Sequence, residues 1–323
     1  MELLIEMLRV LRDISSPILD TIFGFITMLG EETIAIVLLC LIYWCINKRM
    51  AYVIGIAYFF SGLAVQGMKI SFRIDRPWVI DSTLNTLESA KLGAGGYSFP
   101  SGHTQSATAL FGSLALKIKQ APLKAVCILV VLLVAFSRMY LGVHTLLDVG
   151  VSLVITTLIV LIVAKLLAGD EINKKRDLIV ALVLVVFAVA VIAIAAVMYF
   201  GGTIEASYMT DCLKAAGAGI GFAVGMYIER AYINFSVHTK RILWQIIKFV
   251  IGIAGVLVIK EGLKLVFAGF IADSVAAGFI FDTVRYFLIC TWVTVFFPLI
   301  IKRFFAKEKN GVKDGAKLVE ESV

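Results

Sequence analysis

Residues 137–148 place an arginine, a histidine and an aspartate together between two long apolar runs. His144 and Asp148 are four residues apart, so they share one face if a helix begins near Val143. The carboxylate could then accept a hydrogen bond from one imidazole nitrogen, which leaves the other nitrogen free to attack. Arg138 offers a fork of donors that suits phosphate oxygens. The pattern predicts nucleophilic chemistry on a phosphorylated substrate; the alternative is an interfacial arginine, a capping aspartate and a histidine without function.

A second group of cations precedes a polar loop. Lys69, Arg73 and Arg76 follow one another at helical spacing before Pro77 ends the helix, so three cations lie on one face. Taken alone, such cations more simply extend to the membrane interface. The polar loop that follows, residues 78–99, is long for a compact helical protein, and loops of this length are often functional.

The polar loop leads into Phe-Pro-Ser-Gly-His, residues 99–103. Ser101 is a natural helix cap, and Gly102 lets a ligand approach the backbone closely. The pattern therefore predicts an anion at the start of the next helix. His103 lies at the same point and could donate a proton to a leaving oxygen. The alternative is a helix cap with a nearby histidine.

The composition is that of a membrane protein. Of 323 residues, 60% are hydrophobic and 16% charged, and the mean hydropathy is +0.97, well above the values of soluble domains. Alternating apolar runs favour helices over a barrel. The net charge of +7 comes mostly from short loops, so it does not indicate nucleic-acid binding. The five cysteines show neither zinc spacing nor a disulfide framework, and no cleavable signal peptide is evident.

We predict an all-α polytopic membrane protein with a six-helix core, about three additional C-terminal helices and an N-terminal interfacial helix. Residues 2–14 form an amphipathic pattern, and residues 18–29 are apolar but too short to span. The third span begins at the Phe-Pro-Ser-Gly-His stretch and ends near 116. The other predicted spans are about 31–47, 51–70, 122–138, 144–167, 178–199, 213–228, 243–260 and 280–301. The expected divisions are 1–30 (interfacial), 31–200 (catalytic core), 201–303 (accessory helices) and 304–323 (a disordered cytoplasmic tail).

Basic residues indicate which side of the membrane is cytoplasmic. By the positive-inside rule, that side carries the loops near residues 48–49, 117–124, 174–176, 230–241 and 302–303. With these spans, the candidate residues all fall on the opposite side: Lys69, Arg76, Ser101, His103, Arg138 and His144. We therefore predict a multi-pass protein of the plasma (inner) membrane whose site faces the extracytoplasmic side.

The seventh span carries Gly217, Gly221 and Gly225 at four-residue spacing, which is a helix-packing face. Such a face could join two copies into a homodimer. Packing between helices of one chain uses the same small residues and is the alternative.

Three separated motifs together resemble the signature of the type 2 phosphatidic acid phosphatase superfamily. They are Lys69-x6-Arg76-Pro77, Pro100-Ser101-Gly102-His103 and Ser137-Arg138-x5-His144-x3-Asp148. The resemblance covers roughly residues 31–200. Within the superfamily, Gly30-Glu31, Tyr43-Trp44 and the third motif are more weakly similar to the sphingosine-1-phosphate phosphatase branch, which has extra C-terminal spans. That branch has threonine where this chain has Gly102.

The resemblance implies a role for each matched position. His144 is similar to the nucleophile that forms a phosphohistidine, Asp148 to the group that orients it, and His103 to the general acid for the leaving group. The implied phosphate cradle consists of Lys69, Arg76, Ser101, the Gly102 amide and Arg138. Because cations replace a metal there, no metal or other cofactor is expected. The implied activity is hydrolysis of a lipid phosphomonoester or polyprenyl pyrophosphate that stays in the bilayer.

Two other functions remain open. A lipid-linked phosphotransferase on the same fold would pass the phosphoryl group to another lipid or sugar instead of water. A transporter or scaffold would not catalyse at all, although no span between 31 and 200 is broken by Gly or Pro at mid-membrane. The sequence does not identify the lipid: polyprenyl pyrophosphate, phosphatidate, phosphatidylglycerol phosphate and sphingoid base phosphate are all candidates.

Overall fold

The computed structural model describes residues 1–168, 173–239, 241–267 and 274–305, and these contain helices and no strand. The N-terminal helices are α1 (Glu2–Asp13) and α2 (Pro17–Met28). The middle part contains α3 (Glu32–Leu41), α4 (Lys48–Phe72), α5 (Pro77–Ile80), α6 (Glu88–Leu92), α7 (Gly102–Ala107), α8 (Ser113–Lys117), α9 (Ala121–Tyr140), α10 (Leu146–Leu166) and α11 (Lys174–Phe200). The C-terminal part contains α12 (Ala206–Ile228), α13 (Ile242–Leu257), α14 (Leu263–Val266), α15 (Val275–Thr291) and α16 (Phe297–Ile300).

Short π-helical segments continue several helices without a break. They are Ile42–Ile46, Thr108–Gly112, Glu229–Ile233, Val258–Gly262, Trp292–Phe296 and Ile301–Phe305. A single helical rod therefore covers residues 102–117, and another covers 275–305. Most of the predicted tail, residues 306–323, lies outside the described residues.

The predicted spans all coincide with helices, but not all of them are long and apolar enough to cross a membrane. Within the described residues, six helices meet that condition: Lys48–Ile80, Ala121–Tyr140, Leu146–Leu166, Lys174–Phe200, Ile242–Val266 and Val275–Phe304. A seventh is possible if α2 and α3, which meet at a bend of 48°, form one broken span and not a re-entrant segment. The rod at residues 102–117 is shorter, and α12 is rich in glycine and alanine and largely buried among other helices.

Polar side chains determine where the long helices begin. Asn47 accepts hydrogen bonds from the backbone amides of Arg49 and Met50 at the start of α4. Thr145 caps α10 in the same way. At its other end α4 stops at Arg73, whose φ of 52° lies in the left-handed region. Helix α4 therefore runs unbroken from the basic loop at its start to the predicted site at its end.

The N-terminal helix α1 is bound to the protein along one face. Its outer residues, including Leu3 and Val10, are exposed. The opposite face is buried, and there the Arg12 guanidinium donates to Asp20 Oδ1 at 2.8 Å and to the Asn85 carbonyl at 2.6 Å. Through Arg12, α1 therefore connects α2 to the polar loop beside the predicted site.

The glycine face of α12 packs within the chain. A Cβ atom at Gly217 would collide with the backbone carbonyl of Thr283, and one at Gly221 with that of Phe287. Both carbonyls belong to α15. Because the glycines of α12 carry no side chain, the two helix backbones can approach each other closely there. The proposed dimer contact on this face is therefore wrong, because α15 of the same chain already covers the glycines.

Buried ion pairs join the C-terminal helices to the rest of the chain. Glu229, at the end of α12, accepts hydrogen bonds from Lys48 Nζ at 3.0 Å and from the Tyr52 hydroxyl. Arg230 Nε donates to Asp177 Oδ2 on α11 at 2.6 Å. One hydrophobic cluster extends from α3 and α4 through α12 to α15. The C-terminal helices therefore pack into the same core as α4.

Candidate active site

His144 and Asp148 meet at the start of α10, in a different arrangement from the predicted one. His144 lies in the turn before the helix, and Asp148 is the third residue within it. Asp148 Oδ2 accepts a hydrogen bond from the Thr145 backbone amide at 2.7 Å, which completes a capping box. His144 Nδ1 lies 3.5 Å from the same carboxylate oxygen. The two side chains thus meet through a helix cap and not through a shared helical face.

A serine that the sequence did not single out contacts both groups. Ser98 Oγ donates to Asp148 Oδ2 at 2.7 Å and lies 3.4 Å from His144 Nδ1. Ser98 is 1% exposed. Its one sequence signal is that it directly precedes the Phe-Pro-Ser-Gly-His stretch at the end of the polar loop. It is a positioning residue for the carboxylate.

Arg76 contacts the other nitrogen of the imidazole. Arg76 Nη1 lies 2.9 Å from His144 Nε2. A guanidinium N–H can only donate, so Nε2 is the accepting nitrogen and Nδ1 carries the proton toward the carboxylate. The carbonyls of Gly95, Gly96 and Val143 accept from Arg76 at 2.7, 2.9 and 3.1 Å. These carbonyls, in the polar loop and in the turn before α10, therefore hold the guanidinium next to the imidazole.

The surroundings of His144 favour its neutral form. The side chain is 1% exposed, and burial lowers the pKa of His144 well below its usual value because the charged ring would lose its hydration. The nearby charges of Arg76, Arg138 and Lys69 lower that pKa further. The imidazole therefore keeps a lone pair on Nε2 at neutral pH, as a nucleophile must.

The other two predicted cations also lie at the site. Lys69 Nζ donates to the Tyr97 carbonyl at 2.6 Å. Arg138 Nη1 donates to Thr27 Oγ1 on α2 at 2.8 Å, while its buried Nε has no hydrogen-bond partner within the described part of the chain. Nothing in the sequence had indicated Thr27, because it lies within an apolar run. Arg73 is exposed and stays outside the site, as the resemblance implied.

Ser101 and Gly102 lie where α7 begins. Ser101 Oγ accepts from the Thr104 backbone amide at 3.4 Å and from Thr104 Oγ1 at 3.0 Å, so it acts as the predicted cap. The Ser101 backbone amide donates to the Asp148 carbonyl at 3.1 Å, and Ser152 Oγ donates to the Ser101 carbonyl at 2.7 Å. These bonds attach the start of α7 to the start of α10.

His103 faces a cavity. It makes no hydrogen bond with the described residues and, together with Gly102 and Lys69, lines a cavity of about 250 Å³. Arg138, Arg76 and Lys69 all interact electrostatically with it. The geometry thus brings both histidines into one field of positive charge. Among the described residues, no group of three or more His, Cys, Asp or Glu side chains could hold a metal ion.

Family models agree with the motifs. No curated protein matches the chain significantly. The crystal structure of Aquifex aeolicus LpxE is similar at 26% sequence identity, with a TM-score of 0.45, over 50% of this chain and 95% of that one. The family model described as the PAP2 superfamily matches residues 49–171, and that described as the PAP2 superfamily phosphatase, transmembrane extension, matches residues 213–309. The resemblance to the type 2 phosphatidic acid phosphatases is thereby confirmed, and the chain belongs to the PAP2 superfamily as a multi-pass membrane phosphatase.

Proposed function

We propose that the protein hydrolyses a lipid phosphomonoester or a polyprenyl pyrophosphate through a phosphohistidine on His144. The observation that carries this proposal is the accepting Nε2 of a neutral, buried His144 beside Arg76. Such a nitrogen has the lone pair that attack on phosphorus requires. Because the phosphate oxygens are stronger acceptors than an imidazole, they replace Nε2 as the partner of Arg76 when substrate binds.

The reaction has two steps. His144 Nε2 attacks phosphorus, an N–P bond forms, and the P–O bond to the leaving group breaks as His103 gives a proton to the leaving oxygen. The negative charge of the bound phosphate offsets the nearby cations and so favours the protonated form of His103 that this step needs. Water then attacks the phosphorus of the phosphohistidine while His103 takes a proton from the water. The N–P bond breaks, inorganic phosphate leaves, and His144 returns to its neutral form. During both steps Asp148 stabilises the positive imidazole, which it faces through Nδ1–H.

The cations stabilise charge on the phosphoryl group. Lys69, Arg76 and Arg138 form the proposed cradle, with the amide of Gly102 and the hydroxyl of Ser101 at the start of α7. The unpartnered Nε of Arg138 supports this proposal, because a buried donor without an acceptor is costly unless a ligand supplies one. Preorganised donors of this kind are the main expected source of the rate enhancement.

We place the site on the extracytoplasmic side of the plasma membrane. The support is the distribution of basic residues: Lys48 and Arg49 at the start of α4, and Lys174 to Arg176 at the start of α11, lie at the helix ends opposite to the site. The substrate phosphate is then presented at the outer surface while its chain remains in the bilayer.

The test uses the three histidines of the chain. Purified protein is mixed with radiolabelled lipid phosphates without an acceptor, quenched rapidly, and analysed for inorganic phosphate and acid-labile phosphohistidine. We expect both in the wild type and in His238→Ala, because His238 is exposed and lies far along the chain, between α12 and α13. We expect neither in His144→Ala. A phosphoenzyme that persists in His144→Ala refutes the assignment. A phosphoenzyme that releases no inorganic phosphate and passes its label to an added acceptor would identify a phosphotransferase.

The same preparation tests the role of the cations. With excess chelator the activity should persist, and vanadate should inhibit, since it resembles the five-coordinate phosphoryl group. Loss of activity on chelation that magnesium restores would contradict the proposed cradle.

A further inference from the structure

The cavity beside His103 lies between the catalytic segment and the C-terminal helices. One wall belongs to α4 and α7, including Lys69 and His103, and the opposite wall belongs to α12 and α15. The opposite wall contributes polar side chains, Asp211, Lys214 and Tyr286. The transmembrane extension thus reaches the immediate surroundings of the proposed general acid.

An apolar crevice continues from this cavity into the helix bundle. The crevice has a volume of about 60 Å³ and shares Glu32, Phe59, Ala218 and Tyr286 with the cavity. Beyond these shared residues its lining is almost entirely apolar: Ile36, Leu39, Cys40, Phe222, Val256, Ile289, Cys290 and Val293, with Lys260. The cavity is polar and lies beside the cations, and the crevice that follows it is apolar. A phosphorylated lipid has the same order, with its polar phosphate end followed by a hydrocarbon chain.

The crevice is narrow. One water-sized group needs about 10–15 Å³ of such volume, so the crevice holds about four to six of them. That is enough for the first part of one hydrocarbon chain and too little for two chains side by side. The larger cavity of about 250 Å³ has room for the polar part of the alcohol.

The polar wall indicates which groups the alcohol carries. Lys214 Nζ is 3.9 Å from both Asp211 Oδ1 and Asp282 Oδ2, so neither pairing is tight. Glu32 has no hydrogen bond or ion pair with the described residues. Carboxylate oxygens accept hydrogen bonds, so Glu32 and Asp211 suit hydroxyl groups next to the phosphate.

We propose that the leaving alcohol of the substrate lies in this cavity with a single chain in the crevice, so that α12 and α15 form half of the lipid site. This inference rests on the proposed function. It names the substrate class: one-chain lipid phosphates with hydroxyl groups near the phosphate. The C-terminal helices would then select the lipid, while the histidines and cations carry out the reaction.

A first experiment compares lipids of equal acyl length. Wild-type protein in mixed micelles should hydrolyse the monoacyl glycerol phosphate with a kcat/KM about tenfold or more above that of the diacyl glycerol phosphate. Equal or reversed values would overturn the one-chain assignment. If neither lipid nor glycerol 3-phosphate were hydrolysed, the one-chain assignment would fail, and if a polyprenyl pyrophosphate also released no phosphate, the proposed function itself would fail.

A second experiment narrows the junction between the cavity and the crevice. Ala218 lines both, so Ala218→Leu should lower kcat/KM for the monoacyl lipid about tenfold or more and leave hydrolysis of glycerol 3-phosphate within about twofold. Ala193→Leu, on the exposed face of α11, adds the same atoms elsewhere and should change neither. Equal losses on both substrates in a folded Ala218→Leu protein, or no loss on either, would overturn the proposal.

A third measurement avoids mutation. A one-chain phosphonate with a diazirine in its chain is bound to wild-type protein, irradiated, and the labelled peptides are identified. Labels should fall on α12 near Phe222 and on α15 near Ile289, both of which line the crevice. Labels restricted to outward-facing positions of α10 and α11 would overturn the proposal even if Ala218→Leu failed to fold.

Discussion

Replacing Asp148 with asparagine removes the charge of the carboxylate and keeps its shape. The carboxylate oxygen Oδ2 accepts from the Thr145 amide and the Ser98 hydroxyl, each at 2.7 Å. An asparagine carbonyl can accept from the same two donors, so the cap of α10 and the position of the turn should survive. The substitution therefore tests the charge that faces His144 and leaves the local fold intact.

The structure gives the size of the expected effect. Nδ1 of His144 and Oδ2 of Asp148 are 3.5 Å apart. At an effective dielectric constant of about 20, unit charges at that distance attract by about 5 kcal/mol. This is an upper value for the stabilisation of the positive imidazole that forms during attack, because asparagine keeps a dipole. Since about 1.4 kcal/mol corresponds to a tenfold change in rate, we expect kcat to fall between about 10²- and 10⁴-fold.

The assay is single-turnover phosphoenzyme formation with a radiolabelled lipid phosphate. Asp148→Asn should bind substrate with nearly unchanged affinity and form phosphohistidine slowly. Ser98→Ala removes one donor to the same carboxylate and should slow the step less than Asp148→Asn does. Asp13→Asn, an exposed aspartate at the end of α1, is the matched control and should behave as wild type. A fall of less than tenfold in Asp148→Asn would refute the reasoning.

Three further predictions concern pH, topology and packing. Because positive charge lowers the pKa of His144, Arg138→Gln should raise that pKa and move the acid limb of the kcat/KM profile to higher pH. In a cysteine-free background, Ser89→Cys should react with an impermeant reagent from outside the cell, and Lys174→Cys only from inside. Gly221→Val should lower the free energy of unfolding by about 1–3 kcal/mol, measured by thermal denaturation in detergent, because its side chain would meet the backbone of α15.

Each of these has a clear contrary outcome. An acid limb that does not move in Arg138→Gln would mean that His144 does not determine it. Labelling on the reverse sides would refute the orientation. For the packing prediction, Gly24→Val is the control, since a Cβ at Gly24 of α2 meets no atom within 4 Å. If Gly221→Val and Gly24→Val lowered the free energy of unfolding equally, the close contact between α12 and α15 would not account for the loss.

The motifs and the hydropathy pattern determined the family, the helical class and the positions of the helices. Apolar runs of membrane length have few alternatives to helix in lipid, because every backbone polar group must be satisfied internally. For the same reason the predicted span at 51–70 lies within α4, Lys48–Phe72. Side-chain chemistry is also local information: an arginine can only donate, and a histidine can attack or transfer a proton, wherever the chain places it.

Contacts between residues far apart in sequence were decided by the tertiary structure alone. Thr27 meets Arg138 because α2 packs against α9, and no local pattern encodes that contact. The glycines of α12 could serve a dimer or an intramolecular contact equally well by spacing, and only the position of α15 decided between them. A sequence specifies what each group can do, whereas its partner depends on which helices close over it, and that is a property of the whole packed core.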